Sequence, residues 1–268
     1  MRQRGTLRVV GIGVRAPSHT SLETVELIKS ADKVYAVVAD RLAWIWLSEL
    51  NRDCESLNAL YSPGKPRRIT YEEMVERVLG GVRSGLRVCF VAYGHPGVFS
   101  SPTHEAIRRA RSEGFDASMD PAVSAEDCLF ADLGVDPATS GCQNFEATDF
   151  LIYGRVFDPH SALVLWQAAA IAEESVKEEA GTWNVAALSI LAEVLIARYG
   201  SDHQIVIYQA PVFAVCRPLA KRITLAELPT QTIHLMSLLY VPPCGPAEPN
   251  WEMVRRLRSG SHSASVSP

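Results

Sequence analysis

The chain has 268 residues, 47% hydrophobic and 21% charged, an ordinary globular composition with enough length to bury a core without disulfide or metal staples. With 30 acidic against 26 basic residues the net charge is −4, so no basic surplus points to nucleic acid. No apolar run approaches the roughly 20 residues of a membrane span, and the basic start Met1-Arg2-Gln3-Arg4-Gly5 lacks the apolar stretch of a signal peptide. Neither nucleic acid nor a membrane is an expected partner.

The first third alternates strand and helix signals. Leu7 to Ile12 reads as a buried strand running into the tight turn Gly11-Ile12-Gly13. Thr20 to Ala31 reads as a helix with Leu22, Val25, Leu27 and Ile28 on one face. Val34 to Val38 is a second strand, and Arg41 to Leu50 a helix carrying Trp44, Trp46 and Leu47. Tyr71 to Ser84 is a helix with Met74, Val75, Val78 and Val82, ended by Gly85 as a left-handed cap. Val88 to Ala92 is a third buried strand. Ser101-Pro102 then opens a helix running to about Glu113, with Ser101 as its cap. Strand and helix at this spacing predict a parallel sheet with crossover helices.

The second half changes character. Ser124 to Leu133 is a short helix with a capping box, Ser124 and Asp127. Strand-like runs follow at Ser161 to Gln167, His203 to Gln209 and Ile233 to Val241, with a long helix from Trp183 to Tyr199. Hairpin-like connections among them predict a mixed sheet. The boundary between the halves is expected near residues 118–123, and the Ser-rich stretch Ser259 to Pro268 is expected to be disordered. Cys54, Cys89, Cys128, Cys142, Cys216 and Cys244 form no CxxC pair, and read as reduced, mostly buried thiols of a cytoplasmic protein. His203 and His234 read as strand-edge residues, so no metal is expected.

Three stretches carry chemistry. Gly11-x-Gly13 is either a tight turn or the edge of a site; it is no dinucleotide fingerprint, because Ala16 stands where GxGxxG needs glycine. Tyr93-Gly94-His95-Pro96-Gly97-Val98-Phe99 follows a buried strand, where open α/β sheets bind ligands, and its glycines allow close backbone approach; a purely structural loop is the other reading. Asp120 to Glu126 then enters a helix N-terminus, suited to an anion. Tyr61, Lys65, Arg67, Arg68 and Tyr71 surround Pro63, Gly64 and Pro66 in a stretch without a core role. It is either a solvated basic loop or a tyrosine base beside a stabilising cation.

Together these segments resemble the SAM-dependent tetrapyrrole methylases, the class III methyltransferases. Within them the chain is most similar to the borosin peptide backbone α-N-methyltransferases. The resemblance rests on Tyr93 to Phe99, Ser101-Pro102-x-His104 and Val123 to Leu133. Asp136-Pro137, Gly141-Cys142 and Phe145 to Leu151 extend it. It covers residues 7–258 and implies two α/β domains with the cofactor cleft between them: 1–120 with the parallel sheet and catalytic loop, 121–258 with the mixed sheet, and the tail 259–268. It implies S-adenosyl-L-methionine (SAM) as cofactor and S-adenosyl-L-homocysteine as product. By resemblance the catalytic group is Tyr61, Arg67, Tyr71 and Tyr93. The implied cofactor contacts are Tyr93, His95, Val98, Phe99, Ser124, Ala125, Gln167, Tyr208 and Ala210, with Gly11 and Gly13 added from the first loop. Departures are Val14-Arg15 after Gly13 where small-molecule relatives have Pro-Gly, Asn58 where some members have tyrosine, and Leu238 where some offer a hydroxyl.

The expected function is methylation of backbone amides in a ribosomally made precursor peptide, with Tyr71 as base, its pKa lowered by Arg67. A methylase of a tetrapyrrole or other small molecule on the same fold is the alternative, and a SAM-binding scaffold without catalysis a third reading. The sequence ends about ten residues after its last helical signal, without an apolar core peptide. The expectation is therefore a split, bacterial-type enzyme acting on a precursor in trans. A homodimer is implied as well, with Trp44, Trp46 and Leu47 as surplus apolar surface.

Overall fold

The structure, a computed structural model, describes residues 4–38, 40–177, 181–182 and 184–260. Apolar runs linked by amphipathic helices are hidden when the strands lie parallel with helices on both faces. Strands β1 (Thr6–Gly11), β2 (Lys33–Val37), β3 (Cys54–Ser56), β4 (Arg87–Ala92) and β5 (Asp116–Met119) form such a sheet, all parallel, in the order β3-β2-β4-β1-β5. Helices α1 (Leu22–Ser30) and α2 (Arg41–Leu50) cover one face through Ile28 and Leu47. On the other face lie α3 (Arg67–Arg83), through Met74, Val78 and Leu79, and α4 (Ser101–Ser112), through Ala106 and Ala110.

The chain then passes through α5 (Ala125–Leu133) and α6 (Pro137–Ser140) into a mixed sheet. Its elements are β6 (Cys142–Glu146), α7 (Ala147–Ile152), β7 (Ala162–Trp166), α8 (Val185–Tyr199), β8 (Gln204–Gln209), β9 (Leu219–Thr224) and β10 (Leu238–Val241), and α9 (Trp251–Gly260) follows. The order is β6-β7-β10-β8-β9; β6 and β7 are parallel, and the remaining pairs are antiparallel. One face packs on α8 through Leu188, Leu191 and Leu195. The other packs through Val164, Val206 and Tyr208 on Leu129 of α5, and on Val14 and Tyr93 from loops at the ends of β1 and β4. The second sheet thus closes over the carboxyl edge of the first.

Several elements differ from expectation. Helix α3 begins at Arg67, four residues before Tyr71, because Pro66 at φ −59° feeds directly into its first turn. Helix α4 has Ser100 as cap, without a side-chain capping bond, and Pro102 inside its first turn. In α1 the buried positions are Thr24 and Ile28, whereas Leu22 is exposed. Only Leu238–Val241 of the run from Ile233 is strand, since β10 pairs with β7 and β8 through 238–241 alone. Ser259 and Gly260 belong to α9, which corrects the expected start of the tail; residues 261–268 and Trp183 lie outside the described residues. Leu47 is fully buried and Trp44 and Trp46 pack half-buried against the same cluster, so the apolar surface that α2 exposes is Leu42 and Ile45 instead. His203 just precedes β8, and His234 lies in the loop before β10.

Candidate active site

Parallel strands end on one edge, and three loops meet there. Ile12 N–H donates to the Ala92 carbonyl at 3.1 Å, Gly13 and Gly94 exchange backbone bonds at 3.2 and 3.0 Å, and Tyr93 N–H reaches the Val37 carbonyl at 2.9 Å. A Cβ on Gly11 would stand 2.2 Å from the Gly94 oxygen and 2.6 Å from Pro96 Cδ. Gly11 and Gly13 therefore fasten the loop 93–99 in place; they lie behind it, off the cleft wall.

That loop forms one wall of a cleft between the two sheets. Tyr61, Tyr71, Tyr93, His95, Val98, Phe99, Ser124, Ala125 and Gln167 all line it. His95 Nδ1 accepts from Gly97 N–H at 2.9 Å, which sets the imidazole orientation. The Ser124–Asp127 capping box is complete: Ser124 Oγ accepts from Asp127 N–H at 3.1 Å, and Asp127 Oδ2 accepts from Ser124 N–H at 2.7 Å. Phe99 and Gln167 are non-glycine residues at φ 49° and 58°. Such strain is retained where surrounding structure over-determines it, and here both residues line the cleft. Phe99 stacks on Trp166 with centroids 4.4 Å apart and planes at 21°.

Tyr61 and Tyr71 meet edge to face, centroids 6.4 Å apart at 90°. Burial pushes the Tyr61 phenol well above its ordinary value; Tyr71 adds to this through charge and a side-chain hydrogen bond, while Arg67 opposes it. Burial likewise pushes Tyr93 up to about 12. Arg67 opens α3 and is held from the second sheet's side: Nη1 donates to Gln167 Oε1 at 3.0 Å, Nη2 to the Glu173 carbonyl at 2.7 Å, and its backbone N–H to the Glu174 carbonyl at 2.7 Å. Lys65, by contrast, is engaged by the Leu60 carbonyl and Glu73.

A second cavity adjoins the cleft. Tyr71, Phe99, Pro102 and Gln167 line both, so they form the partition between them. Arg67 lines the second cavity, as do Asn144, Phe145 and Glu146. Tyr208 and Ala210 are buried in the cluster behind the cleft, where Tyr208 OH donates to Asp132 Oδ2 at 2.6 Å. Asn58 pins the end of β2 through both backbone groups of Val38, at 2.9 and 3.2 Å. Leu238 lines the cleft beside Ser237. No motif in the sequence marks Trp166, Asn144 or the loop Leu235–Ser237. The one signal for Asn144 was its place just before the Phe145–Leu151 motif. Among the described residues all six cysteines are unpaired, with Cys89 buried, three half-buried and Cys216 and Cys244 exposed. No helix there is long and apolar enough to cross a membrane.

The sequence profile of the tetrapyrrole (corrin/porphyrin) methylases matches residues 6–212. A methyltransferase/ribosomally synthesized type I borosin cyclic peptide precursor of Coprinopsis marcescibilis is 40% identical over 98% of this chain and 69% of that protein. The chain belongs to the tetrapyrrole methylase family, in its borosin methyltransferase branch. A gymnopeptides precursor of Gymnopus fusipes is 38% identical over 96% of this chain. A type III borosin precursor of Anomoporia bombycina is 39% identical over 89%. The chain spans only 61% and 28% of those two proteins. The expected bacterial-type placement is overturned, because these borosin relatives are fungal precursor proteins. The fold matches the crystal structure of uroporphyrin-III-C-methyltransferase from Thermus thermophilus, with TM-score 0.61 and 18% identity over 90% of this chain and 94% of that one. A cobalt precorrin-4 methyltransferase matches with TM-score 0.61 and 17% identity over 90% and 96%. These two likenesses concern the fold alone.

Proposed function

We propose that the chain transfers methyl groups from SAM to backbone amide nitrogens of a ribosomally made precursor peptide. The observation that carries this reading is Tyr71 at the partition between two adjoining cavities, with Tyr61 beside it in the first and Arg67 in the second. One cavity can take the cofactor and the other a peptide. The small-molecule alternative gives that group no role, and the borosin relative is about twice as identical as the tetrapyrrole enzyme.

The cleft suits SAM chemically. Met74, Val98, Leu238 and the Phe99–Trp166 stack supply apolar wall, and His95, Ser124 and Gln167 supply polar edges. When bound, SAM supplies an electrophilic methyl group on a sulfonium sulfur. The protein's task is on the peptide. An amide nitrogen is a poor nucleophile because its lone pair is delocalised into the carbonyl. Its N–H proton must leave, and the charge on the resulting imidate oxygen must be held. Burial keeps the Tyr61 proton in place, and Tyr71, packed edge to face against it, is assigned as the base, taking the amide proton in its phenolate form. The Arg67 guanidinium, immobilised by Gln167 and Glu173, holds the imidate oxygen. Tyr93 stays protonated and orients the amide carbonyl as a donor. Burial strengthens each of these interactions.

Incubation with SAM and an apolar peptide supplied in trans should add one methylene per event, located on backbone nitrogens by fragmentation. SAM binding without any methylated peptide would sink the proposal. We also propose a cytoplasmic homodimer: α2 exposes Leu42 and Ile45, α9 exposes Trp251, Met253 and Leu257, and the six unpaired thiols suit a reducing compartment.

A further inference from the structure

We propose that the outer edge of β6 is the docking strand for the peptide, which joins the second sheet as an added extended strand beside Arg67 and Tyr71. This rests on the reading of the chain as a peptide methyltransferase. Strand β6 is terminal in its sheet, bonded to β7 alone. Ala162 N–H donates to the Gly141 carbonyl at 3.2 Å. In a parallel ladder, alternate residues bond the same neighbour. Gln143 and Phe145 therefore also face β7, while Cys142 and Asn144 turn N–H and C=O outward, as does the N–H of Glu146. Among the described residues nothing pairs with these outward groups.

The second cavity runs along this edge. Asn144, Phe145 and Glu146 all line it. Successive strand side chains point to opposite faces, so three consecutive residues share one cavity only where it follows the strand's edge. The Asn144 side chain does not cover that edge. Its Oδ1 accepts from Trp166 Nε1 at 3.0 Å, and its Nδ2 donates to Glu126 Oε1 at 2.6 Å. The strand carries no proline or lysine, the residues that usually protect such edges. Unpaired backbone groups beside a cavity are the requirement for strand addition, in which main-chain bonds supply affinity for any side-chain sequence. The same cavity is lined by Arg67 and Tyr71, whose proposed chemistry takes a peptide backbone as substrate.

The test uses a lysine-flanked, valine-rich peptide. With S-adenosyl-L-homocysteine present, the peptide should protect the amides of Cys142, Asn144 and Glu146 from hydrogen exchange. Replacing single peptide amides by esters should raise KM with a period of two residues. Asn144→Pro, which removes an outward N–H, should raise KM roughly two- to tenfold above Asn144→Ala, the size of one hydrogen bond. Methylation with a flat ester profile and no protection of β6 would overturn the docking proposal and leave the enzymatic reading standing. Protection of β6 without methyl transfer in the presence of SAM would overturn the enzymatic reading alone. A peptide neither bound nor methylated would overturn both.

Discussion

Without Gln167 the Arg67 guanidinium would keep only its bond to the Glu173 carbonyl. Gln167 sits in a left-handed conformation that costs energy, and its Oε1 fixes one arm of the guanidinium. Gln167→Ala should lower kcat about tenfold, the worth of one charge-assisted bond, with the melting temperature nearly unchanged. Steady-state kinetics beside a thermal melt checks this. Tyr71→Phe removes the proton acceptor and should lower the rate by roughly 10²–10⁴, while calorimetry still detects SAM binding. Near-wild-type turnover would remove Tyr71 from its role. Tyr208 poses the converse case. Its hydroxyl is committed to Asp132, and burial together with that bond holds the phenol far above its usual pKa. Tyr208→Phe should cost about 1 kcal/mol of stability and leave SAM affinity intact. A large loss of affinity would show that the hydroxyl meets the cofactor.

Helices α3 and α4 are laced by charge. Arg109 pairs with Glu72, Glu76 and Glu105, and Arg83 with Glu76 and Glu113. Hydrogen bonds from Arg108 and Arg109 hold Glu105 down to about 2 from an ordinary 4.5, and Glu72, Glu76 and Glu113 are lowered by their arginines. A carboxylate whose folded pKa is depressed stabilises the fold above its unfolded pKa and loses that contribution as pH falls through the folded value. The melting temperature should therefore decline between pH 4.5 and about 2. High salt should flatten the decline, because exposed pairs are weak and screened. A melting temperature independent of pH across that window would show that the network contributes nothing. The loop 93–99 depends on backbone contact instead. Gly11→Ala would drive a methyl into the Gly94 carbonyl and Pro96. Overpacking of that kind costs about 1–3 kcal/mol, and here it would displace His95 and Phe99, so SAM affinity should fall with stability.

Two sheets and a shared face make the cleft, and we propose the boundary between the two units near residues 118–123, between β5 and α5. The apolar side chains left outside, on α2 and α9, are the surfaces a second copy would cover. Sedimentation at micromolar concentration should show twice the mass of one chain, and a monomer there would end the dimer proposal. A peptide already methylated where it pairs with β6 lacks the donors that strand addition uses. Methylated product should bind more weakly than unmodified peptide, by about 0.5–1.5 kcal/mol per lost bond.

Local pattern alone determined much of this protein. Four-to-eight-residue apolar runs placed β1, β2, β4, β7 and β8, helical spacing placed α2, α5 and α8, and the Ser124–Asp127 pair specified a capping box that closes as written. Burial within an element repeats over a few residues, so it is readable from neighbours along the chain. Resemblance located Tyr61, Tyr71, Tyr93, His95 and Phe99, which do meet in one cleft. The edge strands β3, β5, β6 and β9 carry no such pattern, since one side of each is unpaired or exposed and mixed composition suffices there. Only tertiary structure decided that Gly11, Gly13, Tyr208 and Ala210 stand behind the cleft while Trp166, Asn144 and Ser237 reach a cavity wall. It alone brought Arg67 to Gln167, 100 positions away. Such contacts depend on how two sheets pack on one another, a relation that no local period in the chain encodes.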